Sequence, residues 1–169
     1  MLNAVDFLSD EGFAKLKAAP NLAIISIGDP GSDKPKALAE HERLNPNRVL
    51  RVEFIDLELE DVKRYGLSAD QLCSRGQIKS MLEFIDRLHT HKDLLRLIVH
   101  CRMGISLSAS VALLAHMKTE CWFPRIGQAK TANKNILRLG AEALGKPVVF
   151  PLEDTKVSKE AADPLRPMI

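Results

Sequence analysis

Leu94-Leu95-Arg96-Leu97-Ile98-Val99-His100-Cys101-Arg102-Met103-Gly104-Ile105-Ser106-Leu107-Ser108 is the stretch that decides the fold. Leu94 to Val99 is a short apolar run with the β-branched content of a buried strand. Ser108 to Met117 is apolar on every side, as a buried helix is. A glycine-bearing loop joins them, so strand, tight turn and helix are contiguous. Working outward, Leu22 to Ile27 is a second buried strand, ended by Gly28, Asp29 and Pro30. A polar segment passes Pro35 and Pro46 before a further strand candidate carrying Val49, Leu50, Val52, Phe54 and Ile55, with Asp56 at its end. Ser68-Ala69-Asp70-Gln71 has the form of a capping box. Ile78, Met81, Leu82, Ile85 and Leu88 then recur at helical spacing to about His89, with Gly76 a point of interruption. After Trp122, Phe123 and Pro124, a last helix follows from Ile136, Leu137, Leu139, Ala143 and Leu144, stopped by Gly145 and Pro147.

Strands alternating with helices imply an α/β fold in three layers: a mainly parallel sheet of about four to five strands, covered by helices on both faces. The chain has 169 residues, which favours a single domain, expected over residues 1–150. From Pro151 the sequence turns polar and carries Pro164 and Pro167, so 151–169 reads as a C-terminal tail.

Composition narrows the partners. Twenty-four Lys and Arg against 22 Asp and Glu leave a formal charge of +2, too weak a field to hold nucleic acid or an anionic membrane. No stretch approaches the roughly 18 apolar residues of a spanning helix. Asp6, Asp10 and Glu11 interrupt the N-terminal segment before a signal-peptide core forms, so the expected location is cytoplasmic. Cys73, Cys101 and Cys121 are odd in number and widely spaced, so neither a disulfide framework nor a zinc site is expected. His89 and His91 lie in a polar HTHKD stretch and read as solvated surface, not as metal ligands. No metal and no cofactor is expected, and the sequence sets no oligomeric state. Ile27-Gly28-Asp29-Pro30-Gly31 matches neither glycine-rich nucleotide motif.

The chemistry lies in the loop 101–108. At the start of a helix, backbone N–H groups lack partners and the helix dipole is positive, so the loop is suited to hold an anion. A cysteine placed there gains the same field, which favours its thiolate and makes Cys101 a candidate nucleophile. Gly104 lets the backbone close tightly, and the hydroxyls of Ser106 and Ser108 can donate to sulfur or to phosphate oxygens. Arg102, Met103, Gly104, Ile105, Ser106, Leu107 and Ser108 together form the expected phosphate-binding loop.

These residues resemble the active-site signature of the cysteine-dependent protein tyrosine and dual-specificity phosphatases, in which cysteine, five residues and arginine precede Ser or Thr. From about Asn21 to Gly145 the order of elements is also similar to that of compact bacterial phosphatase-like proteins, including a last helix introduced here by Ala132-Asn133. The resemblance implies a phosphatase-like three-layer fold, Cys101 as nucleophile, Ser108 as its hydroxyl partner, and His100 and Asn133 as supporting residues. It implies phosphate or a phosphorylated ligand as partner. The general acid would be an Asp following the second strand. Asp56 leads, Asp61 is second, and Asp70 is discounted because a capping box already explains it.

One departure stands out. Where the family has its arginine, this chain has Leu107, so the guanidinium fork that grips two phosphate oxygens is missing from its place. Loss of such a group costs about a thousand- to a hundred-thousandfold in rate. The sequence therefore points to a phosphatase-like protein that binds phosphate but turns over weakly or not at all. The alternatives are an active enzyme with a substitute cation, Arg102 being nearest in sequence, and an interaction module that keeps only the fold.

Overall fold

The computed structural model describes residues 1–148. The tail expected at 151–169, and with it the domain limit near 150, lies outside the described residues. Four strands form one sheet: β1 (Leu2–Ser9), β2 (Leu22–Gly28), β3 (Val49–Glu53) and β4 (Leu95–Cys101). Their order is β1-β4-β2-β3 and every pairing is parallel. Six helices accompany them among the described residues: α1 (Asp10–Ala14), α2 (Lys36–Leu44), α3 (Leu59–Tyr65), α4 (Arg75–His89), α5 (Leu107–Thr119) and α6 (Lys134–Leu144).

Alternation along the inner strands divides the interior in two. Ala23, Ile25 and Ile27 of β2 and Leu95, Leu97, Val99 and Cys101 of β4 pack with α4, α5 and α6 in the larger core. Leu22 and Ile24 of β2 and Ile98 of β4 pack on the opposite face with Phe13 of α1 and Leu38 of α2. Strands buried on both faces read as unbroken apolar runs, which is why β2 and β4 are legible in the sequence. His100 and Cys101, adjacent in the chain, thus point into different cores. Residues Leu107 to Ala115 of α5 are all buried, as expected of a helix that is apolar all round.

Three features depart from the sequence reading. β1 is a strand the apolar pattern does not announce, because Asn3 and Asp6 break its run. Asp6 is nevertheless buried, its carboxylate receiving Arg125 Nε at 2.6 Å and Arg96 Nη2 at 3.1 Å. A buried charge so paired is tolerated where an isolated one is not. The capping box lies six residues further on than expected: Gln77 N donates to Ser74 Oγ (3.2 Å) and Ser74 N to Gln77 Oε1 (2.8 Å), whereas Ser68 makes no side-chain cap. Gly76 does not interrupt the long helix; it sits in the first turn of α4, where backbone N–H groups have no helical partners in any case.

Among the described residues no helix is long and apolar enough to cross a membrane.

Candidate functional site

The C-terminal ends of β2, β3 and β4 open into a cleft of about 610 Å³. Crevices at the carboxyl ends of parallel strands are where α/β sheets take ligands, and the volume is that of a small-molecule site. Cys101, Arg102, Met103 and Leu107 line one side, and Asp56 and Leu57 lie beside them. Gly28, Asp29, Ser32, Asp33 and Arg51 form the other wall.

The loop between β4 and α5 closes under the cysteine. Gly104 N donates to Cys101 Sγ at 3.3 Å, and Cys101 Sγ is hydrogen-bonded to Ser108 Oγ at 3.2 Å. Ser108 is fully buried, so its hydroxyl has no competing water. Gly104 has φ +70°, and a Cβ there would lie 2.2 Å from the backbone nitrogen of Ser9. Only glycine fits both the conformation and the contact. The loop is thereby seated on the junction of β1 and α1, where Asp10 N also donates to Arg102 O at 3.4 Å. Met103 and Ile105 stand exposed on its rim, and Thr131 Oγ1 donates to Ile105 O at 2.8 Å.

Ser106 is the N-cap residue of α5 but does not cap it through its side chain. Its hydroxyl donates instead to Asp56 Oδ1 at 2.8 Å, so it is engaged away from sulfur. Asn133, the N-cap of α6, accepts Ile136 N at 3.1 Å on Oδ1 and donates through Nδ2 to the same Asp56 oxygen at 3.2 Å. Asp56 Oδ2 has no partner among the described residues. Asp61 lies in the first turn of α3, where it accepts Glu58 N at 3.4 Å, and it does not line the cleft. Asp70 is exposed in a short 3-10 turn outside the cleft. Glu58 itself receives Lys134 N (2.7 Å) and Asn135 N (3.0 Å), fastening the start of α6 beside the Asp56 segment.

His100 lies on the other side of the sheet. Its ring stacks on Phe13 with centroids 3.8 Å apart and planes 5° from parallel, and His41 stacks on Phe13 at 5.1 Å. His100 Nδ1 is 2.8 Å from Asp10 Oδ1, and Asp10 N reaches the loop carbonyl of Arg102. Asp10 thus stands between the histidine and the loop, touching both. Burial lowers the titration of both His41 and His100 below the usual imidazole range, in His100 against the opposing pull of Asp10. Cys73 and Cys121 are both pushed up by burial, Cys73 to about 12.

Leu107 is the first residue of α5, buried, with its side chain on the cleft wall. Arg102 is exposed and also lines the cleft. The structure thus brings Cys101, Ser106, Leu107, Ser108, Asp56 and Asn133 together. It adds three residues that the sequence reading missed: Asp10, Ser32 and Arg51. Among the described residues no group of three or more His, Cys, Asp or Glu side chains is placed to hold a metal ion.

No protein-family model matches the chain, and no curated protein matches it.

Proposed function

We propose that the protein is a protein tyrosine phosphatase-like protein, which binds phosphate or a phosphorylated ligand at the Cys101 loop and turns it over weakly. One observation carries this reading: Cys101 Sγ lies at the base of a loop entering the N-terminus of α5, bonded to Gly104 N–H and Ser108 Oγ, and on the wall of the cleft. Backbone N–H groups at such a helix start bind tetrahedral anions without needing every side chain.

In the reaction this geometry suits, the sulfur attacks phosphorus as the bond to the leaving oxygen breaks, and protonated Asp56 gives that oxygen its proton. Water then attacks the cysteinyl phosphate, returning its proton to Asp56 and releasing phosphate and the thiolate. Ser108 Oγ, bonded to the sulfur, stabilises the departing thiolate in this second step. Leu107 supplies no charge to the equatorial oxygens, so its position on the loop adds no preorganised cation to either transition state.

The test is single-turnover cleavage of an aryl phosphate by the protein and by Leu107→Arg. Arginine is expected to raise the rate by at least about a hundredfold, since Leu107 already faces the cleft. A folded variant with no gain overturns the reading.

A further inference from the structure

Across the cleft from the cysteine loop stands a cation whose seat is built in detail. Arg51 lies on β3, in register with Ser26 of β2, which is in turn in register with His100 of β4. In parallel strands residues in register share a face, so Arg51, Ser26 and His100 project to the same side. The Arg51 side chain is 12% exposed. Nη1 donates to Ser26 Oγ and Nη2 to Ser32 Oγ, each at 2.9 Å. Nε forms an ion pair with Glu53 Oε1 at 3.5 Å, longer than a sound hydrogen bond. Glu53 also accepts Gly31 N on its other oxygen at 3.1 Å, pinning the turn that carries Ser32.

The guanidinium occupies space that a side chain at residue 28 would fill. A Cβ on Gly28 would lie 1.9 Å from Arg51 Nη2 and 2.5 Å from Cζ. Gly28 does not have positive φ, so the backbone itself does not demand glycine there. What the position demands is room for the cation. Gly28 ends β2, the immediate neighbour of β4, and adjacent strands lie about 4.8 Å apart. Arg51 and Cys101 leave opposite faces of the sheet, and both line the cleft beyond the strand ends. An arginine has five N–H donors, and the two serine bonds leave one on each terminal nitrogen unused.

We propose that Arg51 binds the phosphoryl oxygens of a ligand seated at the Cys101 loop, supplying from β3, two strands away from β4, the guanidinium that Leu107 does not provide. The proposal rests on the function proposed above. It also assigns the two walls of the cleft different work: the loop orients the phosphoryl group through backbone N–H groups, and Arg51 neutralises its charge. Glu53, paired with Nε, offsets part of the Arg51 charge, whereas the carboxylates of Asp29 and Asp33 on the same wall are exposed and screened by water.

Two measurements test this: inorganic phosphate affinity by calorimetry, and the rate of Cys101 alkylation by iodoacetamide with and without phosphate. Four proteins are compared: wild type, Arg51→Met, Gly28→Ala and Lys79→Met. Arg51→Met deletes the charge. Gly28→Ala keeps it but displaces the flexible tip from its seat, which guards against a Met variant that fails to fold. Lys79→Met removes an exposed cation on α4 and is expected to leave affinity unchanged. Phosphate that slows Cys101 alkylation in wild type, with affinity at least tenfold weaker in Arg51→Met and Gly28→Ala, supports the proposal. Protection of Cys101 with affinities within twofold of wild type overturns the role of Arg51 and leaves the Cys101 reading standing. Binding that needs Arg51 but does not slow alkylation overturns the shared site together with the proposed function. No phosphate binding to wild type overturns both.

Discussion

Ser106 Oγ donates to Asp56 Oδ1 at 2.8 Å across 50 residues of sequence. The bond fastens the only loop serine not engaged with sulfur to the carboxylate at the exit of β3, and Asn133 Nδ2 donates to the same oxygen. Both bonds fall on Oδ1, so the carboxyl group is oriented, leaving Oδ2 without a partner among the described residues. In the Leu107→Arg background, Asp56→Asn is expected to lower turnover of substrates with poor leaving groups by roughly a hundred- to ten-thousandfold. Nitrophenyl phosphate, whose leaving group departs unaided, should suffer much less. Comparing alkyl and nitrophenyl phosphates reads this directly, and equal losses on both would remove Asp56 from the role of acid. Asp61→Asn serves as the comparison, expected to show no such selectivity because Asp61 caps α3 outside the cleft.

Alkylation distinguishes the three thiols. All three are buried, but Cys73 and Cys121 are held protonated well above neutrality by that burial, while Cys101 lies on the wall of the cleft and accepts a backbone N–H. Near pH 6, iodoacetamide is expected to label Cys101 first, resolved by peptide mass spectrometry over a time course. Equal labelling of all three would remove the case for an activated sulfur.

Gly104→Ala is expected to be costly in two ways. The positive φ alone costs about 1 to 2 kcal/mol for a residue with a Cβ, and the contact with the Ser9 backbone cannot be relieved without moving β1 or the loop. A loss of at least about 2 kcal/mol by urea denaturation is expected, together with loss of phosphate protection at Cys101. Gly145→Ala, also at positive φ but with open space around its Cβ and outside the cleft, should lose stability without losing protection.

Acid should destabilise the fold through the stacked histidines. His41 and His100 are held neutral by burial, with their titration lowered, whereas the unfolded chain takes up protons near pH 6.5. Below about pH 6.5 the unfolded state therefore binds more protons than the native one, and stability falls with pH until the native histidines also charge. The contribution is fully present above that pH. Melting temperature measured from pH 7.5 to 5 should fall, and His41→Phe, which keeps the ring against Phe13, should flatten the slope. An unchanged slope would place the titration elsewhere.

What the sequence discloses follows physical lines. β2 and β4 are buried on both faces and show as unbroken apolar runs, and the helices α4 and α6 show their period. β1 escapes notice because Asp6 is buried only by virtue of Arg96 and Arg125, partners 90 and 119 residues away. The site divides in the same manner. Cys101 through Ser108 is one contiguous segment, so its chemistry is readable from spacing, and Asp56 is readable from its place close behind a strand, although β3 itself ends at Glu53. Arg51 and Asp10 come to the cleft through strand register and a helix start. A β1-β4-β2-β3 order places residues 51, 26 and 100 abreast, and nothing in local periodicity encodes that order. Gly28 likewise looks like an ordinary strand terminator until the guanidinium above it is seen.

The contact of Gly104 with Leu8 and Ser9 bears on how this loop could be moved or copied. The cysteine loop is shaped by β4 and α5 from beneath and by the end of β1 from the side, and β1 is a sheet edge about ninety residues away in the chain. Grafting residues 100–110 onto another parallel sheet would carry the sulfur and its serine but leave Gly104 with nothing to rest on. A transplant that includes Leu8 and Ser9, the last two residues of β1, would carry the whole mould of the loop. The portable unit of the cysteine loop is therefore two strand ends and the helix starts that follow them, even though the sulfur and its serine belong to one.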